Sequence, residues 1–348
     1  MWVSQRVAVL LLAGMSVAGL PVAGQQTPPR IAQFLRQSIG LDSTQLSEVE
    51  SGKAVVKVLD TQDNRDVAVF GIITIGRPRA AYIARVQDVA NWLRAPDRKQ
   101  FALFMNPPTA ADVQAVTIDS QDVSDLQKCK PNDCHLKLPA SEVQRVQQEI
   151  DWSAPDRGAH VNAYARQRMV EYATTYGTRG DSALVVYDDR GTSVRASDTF
   201  DRLLAQSPYL FHYSPEFHKY LSDYPHATLG GVSDVLFWSK DALPHLRPIL
   251  SITHLSVYTP PDPGGMTLVA AKQLYADHYF EGEFDLMAVV DRPTPTGQGT
   301  CLIAIRRFRF DNLPSGGLLN LRGKAVGGLR DRMRSDLEHE KAATEKGT

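Results

Sequence analysis

Charge of one sign is the plainest thing this chain lacks. Lys and Arg number 38 and Asp and Glu 39, a formal net charge of −1. A chain that works on nucleic acid usually carries a basic excess, so no nucleic-acid partner is expected. Internal repeats are missing. Hydrophobic residues at 43% and charged residues at 22% lie near the soluble average, which excludes a disordered chain, a collagen and a polytopic membrane protein. Reaction signatures are missing too. Without G-x-S-x-G there is no sign of an α/β-hydrolase nucleophile elbow, and neither a P-loop nor G-x-G-x-x-G occurs. No catalytic residue, metal set or cofactor is assigned on this reading.

Cysteine is scarce: Cys129, Cys134 and Cys301 are the only three. Residues 1–24, MWVSQRVAVLLLAGMSVAGLPVAG, carry one Arg ahead of an apolar run that Pro21 breaks. This is the pattern of a cleaved secretory signal, so a secreted or periplasmic location is expected, with no integral span after cleavage. No Cys lies near the cleavage point, which disfavours a lipoprotein. Export permits disulfides, and Lys-Pro-Asn-Asp between Cys129 and Cys134 is a strong turn sequence. A local Cys129–Cys134 bridge is expected. The spacing matches neither a C-x-x-C redox motif nor a paired zinc ribbon. Cys301 opens the apolar run CLIAI and reads as a small buried hydrophobe.

Residues 25–52 read as a leader and a short helix, with Ile31, Phe34, Leu35 and Ile39 at helical spacing. Strands are expected at 53–59 and 67–75 around the turn DTQDNRD, then one helix over 77–94. Further strands are expected at 101–105, 113–118 and 135–138. After Pro139 helical patterning takes over, at 141–151, 158–176 and 197–206, with a short apolar run at 183–187. The aromatic and His-rich segment 207–226 follows. From 235 alternation returns, at 235–239, 249–258, 267–279, 284–290 and 301–310. A long amphipathic helix is expected over about 315–341, then a disordered tail at 342–348. Three glycines in that helix, Gly323, Gly327 and Gly328, each cost roughly 1 kcal/mol relative to Ala.

The segment FGIITIGRPRAAYIARVQDVANWL (70–93) resembles the opening of START-like, helix-grip (SRPBCC-type) domains, and CLIAIRRFRFDNLPSGGLLNLRGKAVGGLRDRMRSDLE (301–338) resembles their ending. The chain is also similar to an uncharacterised group of secreted bacterial proteins with a KC-x-x-x-x-C-x-x-KLP segment, here KCKPNDCHLKLP. The resemblance covers 53–138 and 235–341. It implies an α+β fold, a curved antiparallel sheet gripping the C-terminal helix, spanning 53–341 and interrupted by a helical insertion at 140–232. It also implies an apolar ligand between sheet and helix. Gly323 and Gly327 then either leave room for that ligand or allow tight packing.

Alternation puts His254 on one strand face with Leu250 and Ile252, Lys272 and His278 with Leu274, and Arg306 with Leu302 and Phe308. If those faces are the inner ones, His254, Lys272, His278 and Arg306 project toward one cavity as a polar minority that orients a head group, with Trp238 beside them. A one-residue shift of register reverses the assignment. The acids Glu281/Glu283 and Asp188/Asp189 read as solvated turn residues. His212, His218 and His226 match no metal spacing; their segment reads as packing, a lid or a partner-binding surface. The expected function is non-enzymatic binding of a hydrophobic small molecule or lipid in the cell envelope. The alternatives are an enzyme using the same cavity with His254 or His278 as acid or base, and a scaffold that docks a partner through 207–226.

Overall fold

The computed structural model describes residues 29–95, 98–242, 246–261, 266–294, 297–314 and 320–347. The expected signal segment lies outside the described residues. Among the described residues there are ten strands: β1 (Val55–Leu59), β2 (Asp66–Ile75), β3 (Arg98–Leu103), β4 (Val186–Tyr187), β5 (Val194–Arg195), β6 (Val232–Asp241), β7 (Ile249–Tyr258), β8 (Thr267–Ala276), β9 (Phe280–Thr294) and β10 (Gly297–Phe310). The α-helices are α1 (Pro29–Gln33), α2 (Ser43–Glu50), α3 (Arg79–Gln87), α4 (Val89–Trp92), α5 (Ser120–Leu126), α6 (Ala140–Glu149), α7 (Arg157–Arg179), α8 (Ala196–Ala205), α9 (Pro208–Tyr213), α10 (Pro215–Asp223) and α11 (Leu321–Lys346).

Eight strands form one antiparallel sheet in the order β1-β2-β10-β9-β8-β7-β6-β3. The sheet curves around α11, and α5–α10 form a helical insertion between β3 and β6. The fold is therefore α+β and of helix-grip type. Every residue of β2 is buried, because both faces of the sheet are covered. On one face Val67, Val69 and Ile73 meet Met333 and Leu337 of α11. On the other, Phe70 and Ile72 pack with Phe34, Leu35, Cys301 and Ile303. The insertion covers the rest of that second face, where Trp238, Ile252 and Leu274 meet Met169, Ala173 and Tyr176.

The glycine that brings helix and sheet together is on the strand. A Cβ at Gly71 would stand 2.7 Å from Leu337 Cδ1 and 2.8 Å from Met333 Cγ. On α11, Gly327 and Gly328 have nothing within 4 Å of a built Cβ, and the atoms nearest to one at Gly323 belong to its capping residue, Asn320. α11 continues to Lys346, through most of the stretch read as a tail, with Ala343 and Thr344 buried. Gly347 at φ +77° ends it.

Two expected strands do not form. At 113–118 the chain makes a 3₁₀ turn, Ala110–Val113, tied by Asp112 Oδ2, which accepts from Thr109 N at 2.7 Å and Met105 N at 3.0 Å. At 135–138 single backbone bonds to separate segments replace a ladder, such as Lys137 N to Asp277 O at 2.9 Å. The expected helix over 77–94 breaks at Asp88 into α3 and α4. The Cys129–Cys134 disulfide is formed, and Cys301 is a buried free thiol. Burial pushes that thiol up to about 11.

Candidate functional site

A cavity of about 250 Å³ lies between α11 and the sheet. Phe237, Ile249, Phe280, Leu302 and Phe308 line it from the strands, Met333 and Leu337 from the helix. The lining is also strongly polar: Arg94, Arg98, Asp241 and Glu340 border the cavity, and a further group comes from β8–β10. Alternation along β9 turns Glu283, Asp285 and Met287 toward α11, while Phe284 and Leu286 go to the insertion side. Gln273 of β8 joins them, and the β9–β10 register sets Arg306 opposite Asp285.

The charges here are only partly balanced. Arg306 Nε lies 2.9 Å from Asp285 Oδ2, and its Nη1 donates to Asp336 of α11. Arg332 Nε donates to the other Asp336 oxygen at 2.9 Å. Burial opposes ionisation of Asp336, but the two guanidinium groups outweigh it and hold the carboxyl below the ordinary range. Glu283 has no such partner: its side-chain contact is Gln273 Nε2, at 3.3 Å. Burial, reinforced by the Asp285 charge, pushes Glu283 up to about 8. Burial also raises Asp285, to about 6, although Arg306 pulls it back. Among the described residues, Asp285 Oδ1 and Gln273 Oε1 are buried acceptors without a hydrogen-bond partner. Burial favours the protonated form of Glu283, beside the two free acceptors.

Glu283 fixes a pH dependence. Its folded pKa, about 8, exceeds the ordinary 4.5, so the folded chain holds this proton more tightly. The group's contribution to stability is fully present below about 4.5 and is lost as pH rises through about 8. Glu283→Gln keeps the hydrogen-bonding shape without the ionisation. Urea unfolding is expected to show the variant more stable than the parent by roughly 2 kcal/mol at high pH and about equal near pH 4.5. A gap that stays constant with pH contradicts this assignment.

The candidates chosen from sequence do not share one cavity. Arg306 faces α11. Trp238, His254 and Lys272 lie on the opposite face, under the insertion. The physical reason is that both faces of the sheet are buried: His254 and Lys272 do share a side with Ile252 and Leu274, but that side meets the insertion, whereas Phe308 and Arg306 meet α11. Trp238 Nε1 donates to Asp112 O at 2.8 Å. His254 Nε2 sits 2.8 Å from Asp234 Oδ1, and Ser256 Oγ donates to the same oxygen at 2.6 Å. Tyr176 OH lies 2.9 Å from His254 Nδ1. Lys272, almost wholly buried, pairs with Asp181 and lies 3.6 Å above the Phe200 ring; burial pushes it down to about 8. These groups tie the insertion to the sheet.

His278 is in the β8–β9 turn, 3.3 Å from Asp122 Oδ1 of α5. Asp122, Asp277 and His278 bring ligand-type atoms within 4.8 Å of one another, but Arg247 Nη1 already stands 3.1 Å from Asp122 Oδ1. Gly323 and Gly327 are on the first turns of α11 and do not line the cavity. In the 207–226 segment, Phe217 and Tyr220 are buried against β7–β9, whereas Phe211 is 63% exposed.

Sequence reasoning passed over Glu283, Asp285 and Gln273. The E-G-E motif has the composition of a turn, yet it belongs to β9. The usable signal was the alternation Glu283, Asp285, Met287, Val289 opposite the basic strand segment around Arg306. No family model matches the chain, and no curated protein matches it in sequence.

Proposed function

We propose that this protein binds one small amphipathic molecule between α11 and the sheet, without turning it over, as START-like domains hold their ligands. The observation that carries this reading is a cavity in which an apolar wall of Phe237, Phe280, Leu302 and Phe308 meets a charged one where Asp285 Oδ1 and Gln273 Oε1 lack partners. A convergent polar minority in an apolar pocket is how small-molecule sites fix orientation. The volume, about 250 Å³, favours a compact ligand over a two-chain lipid. The setting we propose is the bacterial cell envelope. The signal-like N-terminus and the Cys129–Cys134 disulfide support it, since disulfides persist in oxidising compartments. No described helix is long and apolar enough to cross a membrane.

Ala271 lines the cavity from β8. Native mass spectrometry of the purified chain is expected to show a molecule bound one per chain. Ala271→Phe, which fills the space, is expected to reduce its occupancy at least tenfold. Unchanged occupancy in a folded variant contradicts the reading.

The Glu283/Asp285 pair supports a second reading, acid–base chemistry on the bound molecule, because perturbed carboxyls in a cavity are what such chemistry uses. Incubation separates the two: the ligand recovered unchanged favours binding, and a changed mass favours catalysis.

A further inference from the structure

The insertion forms a second cavity, partly open to solvent, on the other side of the sheet. It measures about 460 Å³ and lies between α6, α7 and segment 184–186 above and Leu250, Ile252 and Tyr275 of the sheet below. Its size falls within the range of small-molecule sites. Leu126, Leu138, Val146, Val161 and Met169 contribute apolar side chains to its wall. Strand β7 serves both cavities: Ile249 and Ser251 face the first, Leu250 and Ile252 the second.

The charged side chains on this wall are Glu142, Arg168, Asp188 and Asp277, and each is already engaged. Arg168 grips Glu142 in a bidentate pair, Nε to Oε2 at 2.9 Å and Nη2 to Oε1 at 2.8 Å. Tyr164 OH donates to the same carboxylate at 2.8 Å. Asp188 accepts from Ala140 N at 3.0 Å and from Ser193 Oγ. Asp277 Oδ1 accepts from Leu250 N at 2.9 Å. Tyr172 OH donates to Leu274 O at 2.7 Å and accepts from Val185 N at 3.3 Å. A charged ligand would find no free counter-ion here, and an unpaired buried charge is strongly disfavoured. An apolar body, by contrast, would fill space that close-packed interiors rarely leave open.

The geometry points to a second ligand site, inside the helical insertion, for an uncharged apolar molecule of small-molecule size. It differs from the cavity beneath α11 in lining and in selectivity, and it stands whether or not that cavity is occupied.

The methionines read the two sites separately. Met169 lines the second cavity, Met287 and Met333 line the first, and Met105 is 65% exposed. The experiment is methyl NMR of the full chain with ¹³C-methyl methionine, titrated with uncharged N-phenyl-1-naphthylamine and, separately, with the sulfonate 1-anilinonaphthalene-8-sulfonate. The uncharged probe is expected to shift the Met169 methyl saturably, and the anion to do so at least tenfold more weakly. Ala165→Phe, placed on the α7 wall, is expected to weaken the Met169 response at least tenfold and to spare Met287 and Met333. Leu138→Phe replaces it if that variant does not fold. A Met169 methyl unmoved by the uncharged probe overturns the second site, as does an equal response to the anion. Silence at Met287 and Met333 alone counts against the first cavity only.

Discussion

Gly180→Ala is expected to lower the stability of the chain by about 4 kcal/mol. Gly180 closes α7 at φ 55°, ψ −135°, a conformation L side chains rarely adopt. A Cβ there would stand 1.8 Å from Tyr224 O and 2.8 Å from its carbonyl carbon. A backbone atom cannot swing away as a side-chain end can, so the α10–β6 connection must move. That displacement spreads, because the Tyr224 ring lies 4.2 Å from the His254 ring and 5.4 Å from that of Tyr176. Gly177, one turn earlier in the same helix, has nothing within 4 Å of a built Cβ. Gly177→Ala is therefore expected to stabilise by up to about 1 kcal/mol. Urea unfolding of both variants checks the pair; a near-neutral Gly180→Ala contradicts the close approach.

Arg306→Met is expected to cost about 3 kcal/mol at pH 8, since removing one member of an enclosed ion pair strands the other. Asp285 loses its guanidinium, while Asp336 keeps Arg332. The cost depends on pH with a definite sign. Asp285 already titrates near 6, above the ordinary 3.8, because burial disfavours its charge. Without Arg306 its pKa rises further. A carboxyl with a raised folded pKa gives its full contribution below the unfolded value and loses it as pH rises through the folded one. The gap between parent and variant is therefore expected to be small at pH 4 and to widen toward pH 8. Unfolding midpoints at several pH values measure it; a constant gap contradicts the pairing of Arg306 with Asp285.

Much of the architecture was legible in the sequence, and the site was not. Strand β7 matches its expected span, and the alternation along β10 correctly groups Leu302, Arg306 and Phe308 on one face. Periodicity makes the amphipathic C-terminal helix legible, while its grip on the sheet is what the START-like resemblance implies; Met333 and Leu337 make that contact. What alternation does not carry is which face meets which layer. Here both faces are buried, so Ile252 and Phe308 look equally internal although they face opposite sides. Alternation alone thus groups His254 and Lys272 with Arg306 across a sheet that separates them. At Glu283, acids beside glycine suggest a turn, whereas long-range pairing with β10 draws it into a strand. The glycine argument reversed for a similar reason. Helix glycines advertise close approach, but the approach is made at Gly71, where β2 lets α11 descend.

The most direct measurement is a crystal structure of the full chain with the molecule that co-purifies with it. Ligand density is expected between α11 and the sheet, against Phe280 and Phe308, with a polar atom in hydrogen-bond reach of Glu283 or Gln273. Density elsewhere, with this cavity holding only water or collapsed side chains, would contradict the proposed function.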